Sequence, residues 1–257
     1  MRSGSGAGCR SAGRSPNEFK GTWVRGASPV WRRGSPGRGT SRPDVGRVLR
    51  PVTVLDERVN ERLDRARIEA AVRELLLAIG DDPERPELAK TPSRVADAYT
   101  EFFAGIGTDA VDIARQGTVH AEDGERGQLV VVRDVRFRSV CEHHLLPFLG
   151  VAHLAYAPGD RLIGLGTLSR VLDAVASRPQ LQERLGEQVA ATIAEGLDAA
   201  GVLVVLDAQH QCVTTRGERQ TGSTTVTVAA AGSLAEPAAR AEAIALIGAG
   251  AEHGTDA

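Results

Sequence analysis

The sequence predicts an α+β fold: an antiparallel sheet with helices on one face, preceded by a helical N-terminal extension. Two observations carry this prediction. Strand-like runs arrive in adjacent pairs separated by paired helices, an order that favours a helical layer over an antiparallel sheet rather than an alternating parallel one. The helical stretches show apolar stripes at the 3.6-residue period, whereas the strand stretches show two-residue alternation or a continuous apolar run.

The elements follow in order. Residues 1–50 are crowded with Gly, Ser, Pro and Arg and have no apolar period, so they cannot bury enough surface to offset the entropy of ordering and are expected to be disordered. They hold eleven Arg or Lys against two acidic residues, so a head of +9 sits on a body of −11 within the net charge of −2. This head reads as a solvated tail rather than a nucleic-acid arm or a transit peptide. The ordered chain, residues 51–257, is expected to begin near Pro51, with a helical part over 51–127 and a catalytic part over 128–250.

Ile68, Val72, Leu75, Leu76 and Ile79 recur at helical spacing, and Gly80 is placed to stop that helix. Thr91-Pro92 reads as an N-cap followed by proline at the first helical position. The helix it opens carries Val95, Tyr99, Phe102 and Phe103 and is closed by Gly105. Gly117 to Gly127 turns polar, with an acidic patch at Glu122-Asp123, and reads as a loop. From Leu129 to Ser139 the chain is strand-like, with Val135 and Phe137 on one face and Asp134, Arg136 and Arg138 on the other. Val151 to Tyr156 is a second strand, stopped by Pro158-Gly159. Leu168, Val171, Leu172 and Val175 mark a helix that ends at Arg178-Pro179, and Leu185, Val189, Ile193 and Leu197 stripe a longer one. Val202 to Leu206 is continuously apolar, as in a strand buried on both faces. Ser223 to Val228 is strand-like, and Pro237 to Ile247 is a closing Ala-rich helix.

Composition narrows the class of protein. The hydrophobic content of 42% is ordinary for a soluble globular core. Three cysteines, Cys9, Cys141 and Cys212, make no disulfide framework and suit a reducing cytosol. No run of about 18 apolar residues is present, so no membrane partner is expected. The N-terminus also lacks the roughly 7–15-residue apolar stretch of a secretory signal. The expected location is cytoplasmic.

Two short segments hold nearly all the soft-ligand chemistry: Cys141-Glu142-His143-His144 after a strand, and His210-Gln211-Cys212 after the apolar strand. Zinc favours thiolate and imidazole, and a catalytic zinc has three protein ligands and an open position. Cys141 and His144, three apart, can share one ion from a tight turn, and Cys212 would complete the set. His210 and Cys212 are two apart, so on an extended segment they would share a face. An imidazole beside a Lewis-acid site can shuttle protons near neutral pH. Two other readings stand beside this one. The cysteines could be buried and inert, or His143 or His210 could supply the fourth ligand of a structural zinc. His120, His153 and His253 have no such company and read as bystanders.

Anion-binding candidates are Arg94 in the first turn of its helix, Arg170 beyond Gly164-Leu165-Gly166, and Arg216 four residues past Cys212. Gln182-Glu183, opening the long helix, offers the donors and acceptors that a purine edge demands. Each of these residues singly is also an ordinary solvated surface group.

With these residues in view the chain resembles the GTP cyclohydrolase I family from about Ile68 to Ile247. The resemblance is carried by Thr91-Pro92-Ser93-Arg94-Val95-Ala96, Cys141-Glu142-His143-His144, Ile163-Gly164-Leu165, Arg178-Pro179-Gln180-Leu181-Gln182-Glu183-Arg184-Leu185, and His210-Gln211-Cys212 with Arg216-Gly217. It implies that Cys141, His144 and Cys212 hold zinc (Zn2+), and that His143 and His210 are acid/base groups around the purine's imidazole ring. Gln182 and Glu183 would read guanine, and Leu165 would belong to the substrate site. Arg170 and Arg216 would contact phosphate, and Arg94 would do so from a neighbouring subunit. The implied reaction is attack of zinc-activated water on C8 of GTP, ring opening, loss of formate and closure to dihydroneopterin triphosphate, at the start of folate and pterin synthesis. The implied architecture is the tunnelling fold in a toroidal homodecamer, with GTP and further copies of the chain as partners and no nucleic acid.

The sequence departs from the family pattern in two places. Gly166-Thr167 stands where Ser-Lys is usual, and Asp97 stands where Lys is common. A charge-assisted phosphate contact contributes about 1.5–3 kcal/mol, so each lost cation could weaken triphosphate binding about tenfold or more. The same ring opening on another guanine nucleotide is therefore the alternative, ahead of a non-catalytic zinc scaffold.

Overall fold

The computed structural model describes residues 63–122 and 125–249. The expected disordered tail, the start near Pro51, Asp123 and His253 lie outside the described residues.

The chain runs α1 (Arg65–Ala78), α2 (Thr91–Phe102), α3 (Ala110–Gln116), β1 (Thr118–His120), β2 (Val130–Cys141), β3 (Pro147–Ala157) and β4 (Arg161–Ile163). It continues α4 (Leu165–Ala176), β5 (Pro179–Gln180), α5 (Gln182–Leu197), β6 (Gly201–His210), a short helical turn α6 (Gln211–Thr214), β7 (Thr225–Gly232) and α7 (Pro237–Gly248). The main sheet has the order β5-β2-β3-β6-β7 and is antiparallel except for the β5–β2 edge, while β1 and β4 form a separate two-stranded ribbon. That ribbon crosses the segment expected to be loop, because three-residue strands offer too little alternation to read.

The stripes predicted for α4 and α5 are the core. Leu168, Val171, Leu172 and Val175 of α4 and Leu185, Val189, Ile193 and Leu197 of α5 are all buried. Each stabilises the fold by about 1.5–3 kcal/mol through burial. They pack on Ala152, Leu154 and Tyr156 of β3 and on Val202, Val204, Leu206 and Ala208 of β6, all of one parity. The opposite parity, Ala155 and Leu203, meets Leu234 and Ala243 of the closing segment. Covering on both sides explains why β6 is continuously apolar.

A bulge sets the parity of β2. Its pairing with β3 shifts between Val132 and Val135, with Asp134 at φ 60° and its N–H donating to His153 Nδ1 at 3.3 Å. The added residue lets Val130 and Val132, then Val135, Phe137 and Cys141, all face the α4/α5 core. Without it Cys141 would point away from that face.

Two local expectations need correction. The helix α2 begins at Thr91 itself, its cap position is Lys90, and no side chain caps it, so Thr91 is not the N-cap. Gly105 lies beyond the helix end, and its role is close approach: a Cβ there would sit 2.0 Å from Ala174 O. The stripe of α1 is helical as expected but mostly unburied, with Leu76 inside and Leu75 and Ile79 59% and 68% exposed, since α1 packs chiefly on α2.

Candidate metal centre and active site

Cys141 ends β2, and the chain reverses through Glu142, His143 and His144 into β3. The Leu145 N–H donates to Cys141 O at 2.8 Å, the Cys141 N–H donates to Leu146 O at 2.9 Å, and Leu145 takes φ 51°. This tight reversal brings Cys141 Sγ within 3.8 Å of His144 Nδ1. Beyond β6 the chain does not stay extended. His210 ends the strand and Gln211–Thr214 coil into a helical turn, so His210 and Cys212 do not share a strand face as their spacing suggested. The turn instead carries Cys212 to the other two. The ligand atoms of Cys141, His144 and Cys212 lie within 4.8 Å of one another, and among the described residues no other Cys, His, Asp or Glu joins them.

The donor set fits zinc. Tetrahedral bonds of about 2.3 Å to sulfur and 2.0–2.1 Å to nitrogen put S and N about 3.6 Å apart, close to the 3.8 Å found between Cys141 and His144. Burial pushes the Cys212 thiol up from its usual range, reinforced by the neighbouring Cys141 charge and hydrogen bond and opposed by Arg216. A Cys212 thiol whose ionisation is opposed by its neighbour is suited to sharing a cation with it.

His143 and His210 stand outside the trio. His143 is exposed on the turn, its ring edge-on to that of His144. His210 is opposite Phe148 in the β3–β6 register, and the two rings stack at 4.6 Å and 8°. Burial lowers the His210 pKa, partly offset by the charge of Glu183. His210 Nε2 lies 2.7 Å from Gln182 Oε1.

The parallel β5–β2 edge seats the start of α5 here, since Cys141 pairs with Gln180. The Glu142 N–H donates to Gln180 O at 3.1 Å. Arg184 Nη1 meets Glu142 Oε2 at 2.5 Å and Nη2 meets Oε1 at 3.4 Å, a two-point clamp between the metal turn and α5. Arg184 and Phe148 were given no role from sequence. Arg184 sat within a quoted motif, but only strand pairing shows what each one meets.

Gln182 is buried, and Glu183 is exposed. Glu183 also lines a cavity of about 480 Å³ with Glu187 and Thr227 to Ala231, so it adjoins both that space and His210. Arg216 follows the Cys212 turn, near enough to act on its thiol. Leu165 and Arg170 on α4 and Arg94 on α2 are exposed.

The two departures also have a structural setting. Asp97 pairs with Arg65 of α1, whose guanidinium also reaches Ser93 Oγ at 3.1 Å and Glu69 at 3.1 Å. That partner holds the Asp97 carboxyl below its usual range, and its charge is neutralised within the chain. Thr167 is buried against Gly117, where an added Cβ would lie 2.3 Å from its Oγ1, and Gly166 faces open space.

Comparison with known proteins decides the family. Residues 68–248 match the family model described as GTP cyclohydrolase I. The chain belongs to the GTP cyclohydrolase I family. It is similar to GTP cyclohydrolase 1 of Leifsonia xyli subsp. xyli, 63% identical over 188 residues that span 73% of this chain and 97% of that protein. GTP cyclohydrolase 1 of Caldanaerobacter subterraneus subsp. tengcongensis is 47% identical over 187 residues, covering 72% and 97%. GTP cyclohydrolase 1 of Streptomyces avermitilis is 45% identical over 199 residues, covering 77% and 97%. The α+β sheet with α4 and α5 on one face fits the tunnelling fold of the GTP cyclohydrolase I family. Among the described residues no helix is long and apolar enough to cross a membrane.

Proposed function

We propose that this chain opens the imidazole ring of GTP, releases C8 as formate and forms 7,8-dihydroneopterin triphosphate, using zinc held by Cys141, His144 and Cys212. The observation that carries the reading is a cluster of three soft donors with two histidines close by but outside it. A structural zinc would fill its fourth position with protein, and among the described residues no fourth Cys, His, Asp or Glu joins the three, which supports a catalytic rather than a structural role. Zinc bound there supplies Lewis-acid activation of water near neutral pH.

The chain's own residues do the rest. His143 and His210 are placed to carry protons to and from the purine's five-membered ring. Burial lowers the His210 pKa and so favours the neutral ring, and the Phe148 stack orients it. The Glu183 carboxylate can accept two N–H bonds from the N1/N2 edge of guanine, with Leu165 closing on the base. Arg170 and Arg216 take phosphate oxygens, and Arg94 does so from a neighbouring copy. The exposed Leu75 and Leu77 of α1, with Ile79 just past its end, support burial in a homo-oligomer, which we take to be a decamer in the cytoplasm. Helices α1 to α3 serve as the N-terminal extension and the elements from β2 onward as the catalytic part.

One observation supports an alternative substrate: Thr167 is buried and Gly166 has no side chain, so these two positions in the first turn of α4 contribute no cation to the phosphates. The test is zinc-loaded protein assayed for formate, and for fluorescent neopterin after oxidation, with GTP, GDP and GMP. Preference for GTP supports the proposal. Indifference to the γ-phosphate supports ring opening of another guanine nucleotide, and no formate from any of them overturns both.

A further inference from the structure

We propose that Gln182 is a positioning residue for His210, fixing the plane of its ring and the nitrogen that carries its hydrogen, rather than a reader of the guanine base. This rests on the reading of His210 as a proton carrier.

The amide of Gln182 is 1% exposed and fully engaged. Its Nε2 lies 3.1 Å from Leu206 O, 2.8 Å from Thr225 O and 3.2 Å from Thr227 Oγ1. An amide has two hydrogens, and two of these three neighbours are carbonyls that can only accept. Flipping the amide would aim its oxygen at both carbonyls and lose both bonds, so the surroundings settle which atom is nitrogen. The Oε1 atom therefore faces His210 Nε2 at 2.7 Å. An acceptor at that distance demands a hydrogen on Nε2, whatever charge the ring carries. Nδ1 is then the nitrogen without a hydrogen in the neutral ring.

Two perpendicular restraints define the ring. The Gln182 bond holds it in plane, and Phe148, stacked at 4.6 Å and 8°, holds its face. The anchor is itself rigid: Leu206 and Thr227 are register partners on β6 and β7, as are Ala208 and Thr225. The first residue of α5 is thereby tied to two strands and to the imidazole at once. A base edge arriving from solvent would find the exposed Glu183 carboxylate, while the Gln182 amide is spent on protein partners.

The experiment has two readouts. The full-length, zinc-loaded chain is labelled with 15N-histidine and studied by solid-state NMR at about pH 8, where an ordinary imidazole is neutral. The His210 signals are identified by their loss in His210→Ala. A hydrogen on Nε2 and a bare Nδ1 are expected, and the reverse tautomer overturns the proposal. Gln182→Met keeps the length of the side chain and removes the amide. Positioned acid–base groups contribute about 10²–10⁴-fold, so kcat on GTP should fall about 10²-fold with KM within about threefold. A tenfold rise in KM with kcat unchanged would make Gln182 a base reader and overturn the proposal, as would no change in either constant. If Gln182→Met fails to bind zinc or fold, the spectrum of the unsubstituted chain decides alone. The spectrum also needs no turnover, so an inert wild-type chain would defeat the GTP reading without touching this result.

Discussion

The clamp between Glu142 and Arg184 makes a sharp prediction, because its effect on stability and its effect on metal binding should separate. The perturbation is Glu142→Gln, which keeps shape and removes charge. The side chains are 29% and 45% exposed, so the pair is partly solvated. Pairs of this kind stabilise by about 0.2–1 kcal/mol. At about 2–4 °C per kcal/mol for a chain of this size, Tm should fall by less than about 4 °C. Zinc affinity should respond more. Glu142 directly follows the ligand Cys141, and the clamp ties the whole turn to α5. Removing groups that orient a metal's ligands typically costs about 10–100-fold in affinity. Because the Glu142 carboxylate is bonded to Arg184 and acts on the turn rather than directly on a donor atom, the low end, about tenfold, is expected. The assay is competition for zinc against a chromophoric chelator, run beside thermal unfolding of the metal-free protein. Exchanging the two charges, Glu142→Arg with Arg184→Glu, should recover part of the affinity. Unchanged zinc affinity in Glu142→Gln would refute the reasoning, and so would a Tm loss well beyond 4 °C in the metal-free state.

Other residues give independent checks. Cys212→Ser should lose both zinc and turnover, while His210→Ala should lose turnover and keep zinc, as read by metal analysis and formate release. Leu185, fully buried in the α4/α5 core, should cost about 2–5 kcal/mol when changed to Ala, measured by denaturant unfolding. Asp97 carries a pH signature. Its carboxyl is held below the ordinary value by Arg65, so its contribution is present above about pH 4 and is lost only as pH falls through the depressed value. Protection factors of the α1 amides, taken relative to the intrinsic exchange rate at each pH, should therefore fall in acid for the wild type. In Asp97→Asn they should already be reduced at neutral pH.

What could be read from the sequence follows from where each constraint resides. The stripes of α4 and α5 were legible because those helices bury one face against one sheet, and period reports burial directly. The stripe of α1 gave the helix but not its environment, since Leu75 and Ile79 stay exposed on a helix whose main neighbour in the chain is α2. The bulge at Asp134 was invisible, yet it decides which way Cys141 points, because parity along a strand depends on its pairing partner. The Cys141, His144 and Cys212 group was legible as residue types at short spacing, and the tight turn expected for Cys141 and His144 is present. The route by which Cys212 reaches them was not, since β6 gives way to a helical turn just past His210. The setting of Gln182 was beyond reach for the same reason. Its partners Thr225 and Thr227 lie more than forty residues on, at separations of 43 and 45, and meet it only once β6 and β7 have paired.

The central claim is that this chain excises C8 of GTP as formate at a zinc site built from Cys141, His144 and Cys212. The most direct measurement uses GTP carrying 13C at C8, turned over by protein loaded with one zinc per chain and followed by 13C NMR. The account predicts that the label leaves the purine and appears in formate, in step with formation of the pterin and only while zinc is bound. Label that remains in the purine under those conditions would contradict it.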